Sequence, residues 1–307
     1  MKNYAKISYF VFLAVIVFFL ACNQSKSSKD NETILKGSVS IFVDETLTPI
    51  VEDQVSVFES RYDAKIKLIS KSESETVNSL FKEKAAIAIL ARNLTTEELK
   101  IFDQRKIIPK VTIFATDAIA LISNKNNKDT IIALKDVIDY MQGKTVPSIK
   151  GLVFDNPNSS TVRYINSLAG LNAIPEKGVF SFKTNDEVIK YVSENEGMIG
   201  IVGVNWLSQP MPAMQKYVDN VNTLSVKGLN TDNSFSPSQN NIAEGKYPLA
   251  RDLYIINCQG YSGLGMGFAS FVAGDIGQRV ILKSGLLPVR IPGRNITIRN
   301  KIENDKK

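Results

Sequence analysis

The sequence predicts an α/β fold with a mostly parallel sheet. Short apolar segments of β-branched and aliphatic residues alternate along the chain with segments whose apolar residues have helical spacing. This alternation is typical of strand–helix–strand units. Polar turns follow the strands, and ligands of such sheets bind at the carboxyl ends of the strands. We therefore expect a functional site in these turns.

The first third of the chain contains three strand–turn–helix units. Lys36–Val43 predicts a strand, and the next helix has Thr48 at its expected N-cap and Pro49 at its first position. The other two units have predicted strands over 66–69 and 86–90, and predicted helices over 75–81 and from residue 96.

Two further stretches shape the rest of the prediction. Residues 111–123 form an extended segment too long for one ordinary strand. Residues 152–170 begin as a strand, Leu152–Phe154, and continue as an amphipathic helix. The remaining predicted elements are a strand at Phe182, helices over 136–141 and 185–192, strands over 197–203 and 252–256, and helices over 265–273 and 276–284.

Three hydroxyl residues, Ser159, Ser160 and Thr161, stand at the start of the helix after the 152–154 strand. A hydroxyl there can cap the helix, and the amides of the first turn have no intrahelical partner. The same turn suits an anion, which helix N-termini attract through these amides. Two interpretations therefore stand at this point, a simple N-cap or an anion-binding turn.

The composition argues against several classes of function. The 307 residues carry a formal net charge of +6 and include no histidine, which excludes His-based catalytic triads and most zinc sites. There is no paired-carboxylate motif, and no basic run with interleaved aromatic residues of the kind that binds nucleic acids. We therefore expect no enzyme activity, no metal, no other cofactor and no nucleic-acid partner.

The N-terminus predicts a targeting segment. An apolar run of about 13 residues follows two lysines, is too short for a comfortable membrane span, and fits a signal-peptide core. It ends in Phe19-Leu20-Ala21-Cys22, which resembles a bacterial lipobox with Phe19 at the usual Leu position. We interpret residues 1–21 as a signal peptide, Cys22 as the lipidation site and 22–33 as a polar tether. The alternatives are an ordinary cleaved signal or a buried cysteine.

The most specific similarity to a known family lies near the C-terminus. Residues 244–254, Gly277-Gln278-Arg279 and Gly285-Leu286-Leu287-Pro288 occur in the same order as motifs of the PstS-like phosphate-binding proteins, the periplasmic substrate receptors of ABC transporters. The strand over 197–203 and the turn over 91–95 also resemble motifs of this family. The resemblance extends from about residue 36 to 289, nearly the whole mature chain.

The resemblance implies a type II periplasmic binding protein fold. In this fold two α/β lobes, each with a mostly parallel sheet flanked by helices, are joined by two crossing strands, and the ligand lies in the cleft between the lobes. Residues 111–123 would be the first crossing, and the Tyr247–Arg251 motif suits a hinge better than a ligand site. The implied division is 34–116 with 247–300 as one lobe, 117–246 as the other, and 301–307 as a polar tail.

The family pattern also implies a set of ligand-binding residues. Thr46 and Leu47 match the first phosphate-binding loop, Ser72 lies where a second loop contributes a serine, and the triplet 159–161 matches the family's Ser-Gly-Thr. Arg92 stands where members often have an aspartate, within a common variant of that loop. Fixed amide and hydroxyl donors of this kind hold an anion by replacing its hydration.

Two departures from the family pattern concern the same turn. Ser160 replaces the glycine of the triplet, and Asp155 stands where well-described members have an arginine. An Asp155–Arg92 pair across the cleft would exchange the charges between the lobes; the alternative is that Asp155 is a solvated turn residue. Arg163, one turn into the helix, could also reach the ligand, although a side chain at this helix position is more often exposed to solvent. Phosphate, a monoprotonated oxyanion or another small polar ligand all remain open.

The resemblance therefore implies a monomeric extracytoplasmic lipoprotein, anchored to the membrane through its lipid, that binds phosphate or a related oxyanion and delivers it to an ABC permease. A second hypothesis keeps the fold without the transport. In it the protein is an envelope-associated sensor or assembly protein whose cleft has lost or changed phosphate binding, as the Asp155 and Ser160 departures would allow.

Overall fold

The computed structural model describes residues 32–82 and 84–293. The predicted signal peptide, Cys22 and the 301–307 tail lie outside the described residues, as does all of the tether except its last two residues. Within the described part, no helix is both long enough and apolar enough to cross a membrane.

The first part of the chain forms three parallel strands with helices between them. Strand β1 (Lys36–Asp44) is followed by a 3-10 turn (Glu45–Leu47) and helix α1 (Thr48–Glu59). The next units are β2 (Asp63–Lys71), α2 (Glu73–Phe81), β3 (Ile87–Leu90) and α3 (Thr96–Gln104).

A 15-residue strand, β4 (Lys110–Asn124), leads into the second part of the chain. It is followed by β5 (Ile131–Ala133), α4 (Leu134–Met141), β6 (Gly151–Phe154), α5 (Ser160–Ala169), β7 (Val179–Ser181), α6 (Asn185–Glu194) and β8 (Met198–Gly203). Shorter elements come next: α7 (Asn205–Ser208), α8 (Gln215–Val218), β9 (Val221–Thr223), β10 (Ser225–Lys227), β11 (Ser234–Phe235) and α9 (Gln239–Ala243).

The chain then returns to the first part through β12 (Ala250–Asn257). Helices α10 (Leu264–Val272) and α11 (Asp275–Lys283) and the short strand β13 (Leu287–Pro288) complete the described residues. Tyr247 lies at this return, where its buried hydroxyl donates to the carbonyl oxygen of Ile119 at 2.7 Å. This contact agrees with a structural role for Tyr247.

One continuous sheet runs through both parts in the order β2-β1-β3-β12-β4-β8-β6-β7. Lobe 1 contains the parallel strands β1 to β3, and lobe 2 contains the parallel strands β6 to β8. Strand β4 pairs with β12 along residues 110–118 and with β8 along 119–123. A single strand therefore crosses from one lobe to the other, as the sequence predicts for 111–123. The residue boundaries of the two lobes stay a prediction.

The inner strands β3, β6 and β8 are buried along their whole length on both faces, which explains why they are continuously apolar. In β1, Ile41 and Val43 belong to the larger core cluster. Phe42, which points to the opposite face, belongs to a second cluster with Leu90 and Phe102. Because both faces of the strand are covered by packed side chains, its end is held firmly, and so are the polar residues that follow it.

The helix predictions agree with the structure except at one cap. Thr48 is not the N-cap of α1, because the 3-10 turn before it already curls the chain and the helix includes Thr48 itself. Its hydroxyl instead bonds with that of Ser70 at 2.8 Å.

Candidate functional site

The first segment of the candidate site follows β1. The side chain of Asp44 accepts from the backbone N–H of Thr46 at 3.2 Å and so caps the 3-10 turn. Thr46 is fully buried, and Leu47, next along the turn, packs into the core. The capped turn therefore holds the Thr46 hydroxyl in a fixed position at the carboxyl end of the strand.

The second segment is the start of α5, where Ser159 of the hydroxyl triplet is the N-cap. Ser159 caps the helix by accepting from the Val162 N–H at 3.2 Å, and it donates to Asp155 Oδ1 at 2.6 Å. Asn185, at the start of α6, donates to the other Asp155 oxygen at 3.0 Å. Asp155 is completely buried, so the solvated-turn alternative is wrong.

The two segments meet between the lobes. The Thr46 and Ser160 hydroxyl oxygens lie 3.0 Å apart, although 114 positions separate the two residues. The Trp206 Nε1–H of lobe 2 donates to the Thr46 carbonyl oxygen at 2.9 Å. Thr161 is also fully buried, and its hydroxyl has no hydrogen-bond partner among the described residues. Buried hydroxyls from both lobes thus gather at one point.

Arg251, on β12, supplies a cation at this point. Its Nη1 donates to Ser160 Oγ at 2.9 Å, and its Nη2 lies 3.5 Å from Thr46 Oγ1. The same guanidinium donates through Nε and Nη2 to Asp117 Oδ2, at 3.1 and 3.0 Å. Arg251 and Asp117 are directly opposite each other in the β12–β4 ladder and are both buried. An anion in contact with both hydroxyls would lie beside this guanidinium.

Carboxyl groups outnumber this cation. Burial, together with the nearby Glu73, raises the pKa of Asp44 to about 6, against the opposing effect of Arg251. Burial is also the main reason that the pKa of Asp155 rises to about 7, with Asp44 adding to it and the Ser159 hydrogen bond opposing it. Half-buried Glu45 is raised to about 7 by burial and by the charges of Asp155 and Asp44. The site therefore contains several carboxyl groups whose ionised forms a nearby hydrogen-bond donor or cation would stabilise.

Ser72 and Arg92, the two other predicted ligand residues, lie in a neighbouring polar network. Ser72 caps α2 in a reciprocal arrangement with Glu75, donating through Oγ at 3.0 Å and accepting from its backbone N–H at 3.4 Å. Arg92 donates through Nη1 and Nη2 to the two carboxylate oxygens of Glu98, at 2.7 and 2.8 Å, and through Nε to Glu73 at 3.0 Å. Both residues have strong local partners.

The proposed Asp155–Arg92 pair is wrong. Asp155 is bonded to Ser159 and Asn185, whereas the Arg92 guanidinium is bonded to Glu73 and Glu98. The charge that faces the Asp155 side of the site is Arg251, which opposes the rise in the pKa of Asp155. Arg163 lies on Glu73 and keeps 40% of its side chain exposed.

Sequence patterns do not identify several residues of the site. Arg251 stands inside the 247–251 motif, whose interpretation as a hinge suits Tyr247 but not Arg251. No sequence motif marks Asp117 or Asn185. A basic residue inside an apolar strand, as in Leu249-Ala250-Arg251-Asp252-Leu253, was the one available signal, since buried arginines need a specific partner. The described residues contain no group of three or more Cys, Asp or Glu side chains that could hold a metal ion.

Comparison with known proteins decides the family. Residues 28–275 match the family described as the PBP superfamily domain. The chain belongs to this superfamily. The phosphate-binding protein PstS of Borreliella burgdorferi is 27% identical over 297 residues, which cover 90% of this chain and 98% of that protein. The resemblance to PstS-like proteins is therefore confirmed.

Solved structures agree with this assignment at the level of fold. A putative phosphate ABC transporter substrate-binding protein with bound phosphate, from Clostridium perfringens, has a TM-score of 0.69 at 21% identity, covering 83% of this chain and 100% of its own. An ABC-type phosphate transport receptor from Vibrio cholerae has a TM-score of 0.62 at 17% identity, with 81% and 99% coverage. The predicted two-lobed α/β fold is confirmed.

Proposed function

We propose that this protein is an extracytoplasmic solute receptor that binds phosphate or a related oxyanion between its lobes and delivers it to an ABC permease. Its relatives include a phosphate-binding protein, PstS, and its structural neighbours include a putative phosphate ABC transporter substrate-binding protein with bound phosphate and an ABC-type phosphate transport receptor. The observation that carries the proposal is the buried Arg251 guanidinium in contact with the hydroxyls of Ser160 and Thr46, one from each lobe.

The chemistry of this point suits a small oxyanion. Arg251 supplies charge, and Thr46, Ser160 and Thr161 supply hydroxyl donors that are already out of water. Charge-assisted hydrogen bonds from fixed donors are stronger than neutral ones, and donors that need no further desolvation hold an anion efficiently. Ser159 and Ser72 act as helix caps, and Leu47 holds the first turn, so these three residues would support the ligand donors.

The acidic neighbours select among oxyanions. Asp44 and Asp155 repel a bare dianion, but they can accept a hydrogen bond from a ligand that carries a proton. Phosphate carries one or two protons at neutral pH, whereas sulfate carries none. We therefore expect the protein to prefer phosphate to sulfate.

The test is calorimetric titration of the chain lacking residues 1–22 with phosphate, and then with sulfate. We expect phosphate binding at micromolar or lower Kd that sulfate does not compete with. Arg251→Met should weaken phosphate binding by about 100-fold or more, and Arg251→Lys, which keeps the charge but loses the fork, by less. Arg290→Met, which removes an exposed arginine, is the matched control. Absence of phosphate binding by a folded wild-type sample would contradict the proposal.

The acid excess also favours a second candidate, a sensor or assembly protein of the envelope that keeps the fold and has lost or changed phosphate binding. Asp44, Asp117 and Asp155 are all fully buried around one buried arginine. This candidate predicts no heat with either anion. It would direct the search to other small polar ligands or to a protein partner.

The finer points of location and assembly belong to the same proposal. The Cys22 lipidation site would hold a monomeric receptor at the membrane surface, with residues 22–33 as the tether. We propose no catalytic residues, no cofactor and no nucleic-acid partner.

A further inference from the structure

A chain of four alternating charges crosses from lobe 1 to lobe 2 beside the candidate site. Glu73 stands in the first turn of α2, with only 2% of its side chain exposed. One of its oxygens accepts from Arg92 Nε at 3.0 Å, and Arg92 in turn is held by Glu98. From the other lobe, Arg163 on α5 places Nε on the first Glu73 oxygen and Nη2 on the second, the latter at 3.2 Å.

The two arginines differ in how they are attached to Glu73. Arg92 belongs to lobe 1, as Glu73 does, and its forked contact with Glu98 holds it in place. Arg163 belongs to lobe 2 and reaches Glu73 across 90 positions of sequence. If the lobes separate, Glu73 would therefore keep Arg92 and lose Arg163. Because the buried Glu73 carboxylate is stabilised by each arginine that contacts it, it favours the closed arrangement, in which both Arg92 and Arg163 are present.

We propose that Glu73 is a positioning residue that latches the closed cleft by capturing Arg163, and that Arg92 prepares it for this by holding its carboxylate in place. This inference rests on the proposed function of the site. It assigns Arg92 and Arg163 to the closure of the cleft and leaves Arg251 as the ligand's cation. A backbone contact at the same place, from Ser74 N–H to the Asn158 carbonyl oxygen at 3.5 Å, joins the same two segments.

The latch is made by protein side chains alone, so it holds part of the ligand-free population closed as well as the loaded protein, and it should change the release of phosphate more than its capture. We expect Glu73→Gln and Arg163→Met each to raise the phosphate dissociation rate by about tenfold, with the association rate changed by about twofold or less. The double variant should be no worse than either single variant by more than about twofold, because both remove the same contact. Arg163→Lys, which keeps the charge, should restore part of the slow release.

A matched control is the Asp275–Arg290 pair, whose two side chains are both more than half exposed and both lie in the C-terminal part of lobe 1. Asp275→Asn and Arg290→Met make the same kinds of change without touching the cleft, so they should leave both rates unchanged. Stopped-flow measurement of phosphate binding and release, with the full chain lacking residues 1–22, supplies the rates. Equal release rates in wild type, Glu73→Gln and Arg163→Met would overturn the latch.

A second measurement needs no ligand. Small-angle X-ray scattering of the ligand-free protein gives its radius of gyration, which should be larger in Glu73→Gln and Arg163→Met than in the wild type and the control variants. If the wild type binds no phosphate, the proposed function fails, and this scattering comparison still decides the latch. An unchanged radius of gyration in both latch variants would overturn it.

Discussion

Replacing Asp155 by asparagine should remove part of the pH dependence of the protein's stability. Asp155 is fully buried, and its pKa is raised from 3.8 to about 7, mainly by burial. One pKa unit corresponds to about 1.4 kcal/mol, so ionising this side chain costs roughly 4 kcal/mol more in the folded protein than in the unfolded chain.

The direction of the effect follows from which state releases the proton first. Below pH 3.8, Asp155 is protonated in both the folded and the unfolded state, so its buried position does not lower the free energy of unfolding. As the pH rises towards about 7, the unfolded chain ionises first, so the free energy of unfolding falls. Above about pH 7, Asp155 is ionised in both states, and the free energy of unfolding falls no further because of it. Asp44 and Glu45, with pKa values raised to about 6 and about 7, should lower stability in the same direction over the same range.

Urea unfolding followed by the fluorescence of Trp206 measures this effect. Trp206 is the chain's one tryptophan, and its indole bonds to Thr46 across the lobes. Between pH 4 and 8, the free energy of unfolding of the wild type should fall by roughly 4 kcal/mol more than that of Asp155→Asn. The exposed Asp275→Asn serves as the control. Parallel pH curves for wild type and Asp155→Asn would refute the reasoning.

Two further predictions test the ligand turn and the anchor. Thr161→Val keeps the shape of the side chain and removes its unpartnered hydroxyl, so phosphate affinity should fall by about 1–3 kcal/mol in a calorimetric titration; an unchanged Kd would place Thr161 outside the ligand shell. Cys22→Ser should release the protein from the membrane fraction of cells that express the full chain, and equal membrane retention of both forms would contradict lipidation at Cys22.

Local patterns predicted the helix starts of the site well. The N-caps of α2, α3 and α5 are Ser72, Thr95 and Ser159, and such caps can be read from the sequence because capping depends on residues within three positions of one another. The long segment 111–123 was also a sound signal, since no single lobe can use a strand of that length and β4 extends through both. These features depend on residues that are close together in the sequence, so they can be predicted from it.

The charges of the site could not be paired from the sequence. Arg251 meets Asp117 because β12 and β4 align them across 134 positions, and that register depends on the packing of both strands. Arg92 looked available for the ligand, although Glu98, six residues further along the chain, takes up two of its nitrogens. Spacing shows which residues share an element, but it does not show which of two acids an arginine will reach.

The position of Arg251 gives a reason why an acid can stand at position 155, where the resemblance to PstS-like proteins implies an arginine. Arg251 lies on one of the two paired strands through which the lobes are connected, and its ion pair with Asp117 joins those strands. If the cleft opens, Thr46 would move with lobe 1 and Ser160 with lobe 2, whereas the Arg251–Asp117 pair, formed between β12 and β4, would stay intact. The cation can therefore stay in place at the base of the cleft while the hydroxyls close around it. With the charge fixed there, lobe 2 no longer needs an arginine at position 155, and an acid can instead orient Ser159 and Asn185.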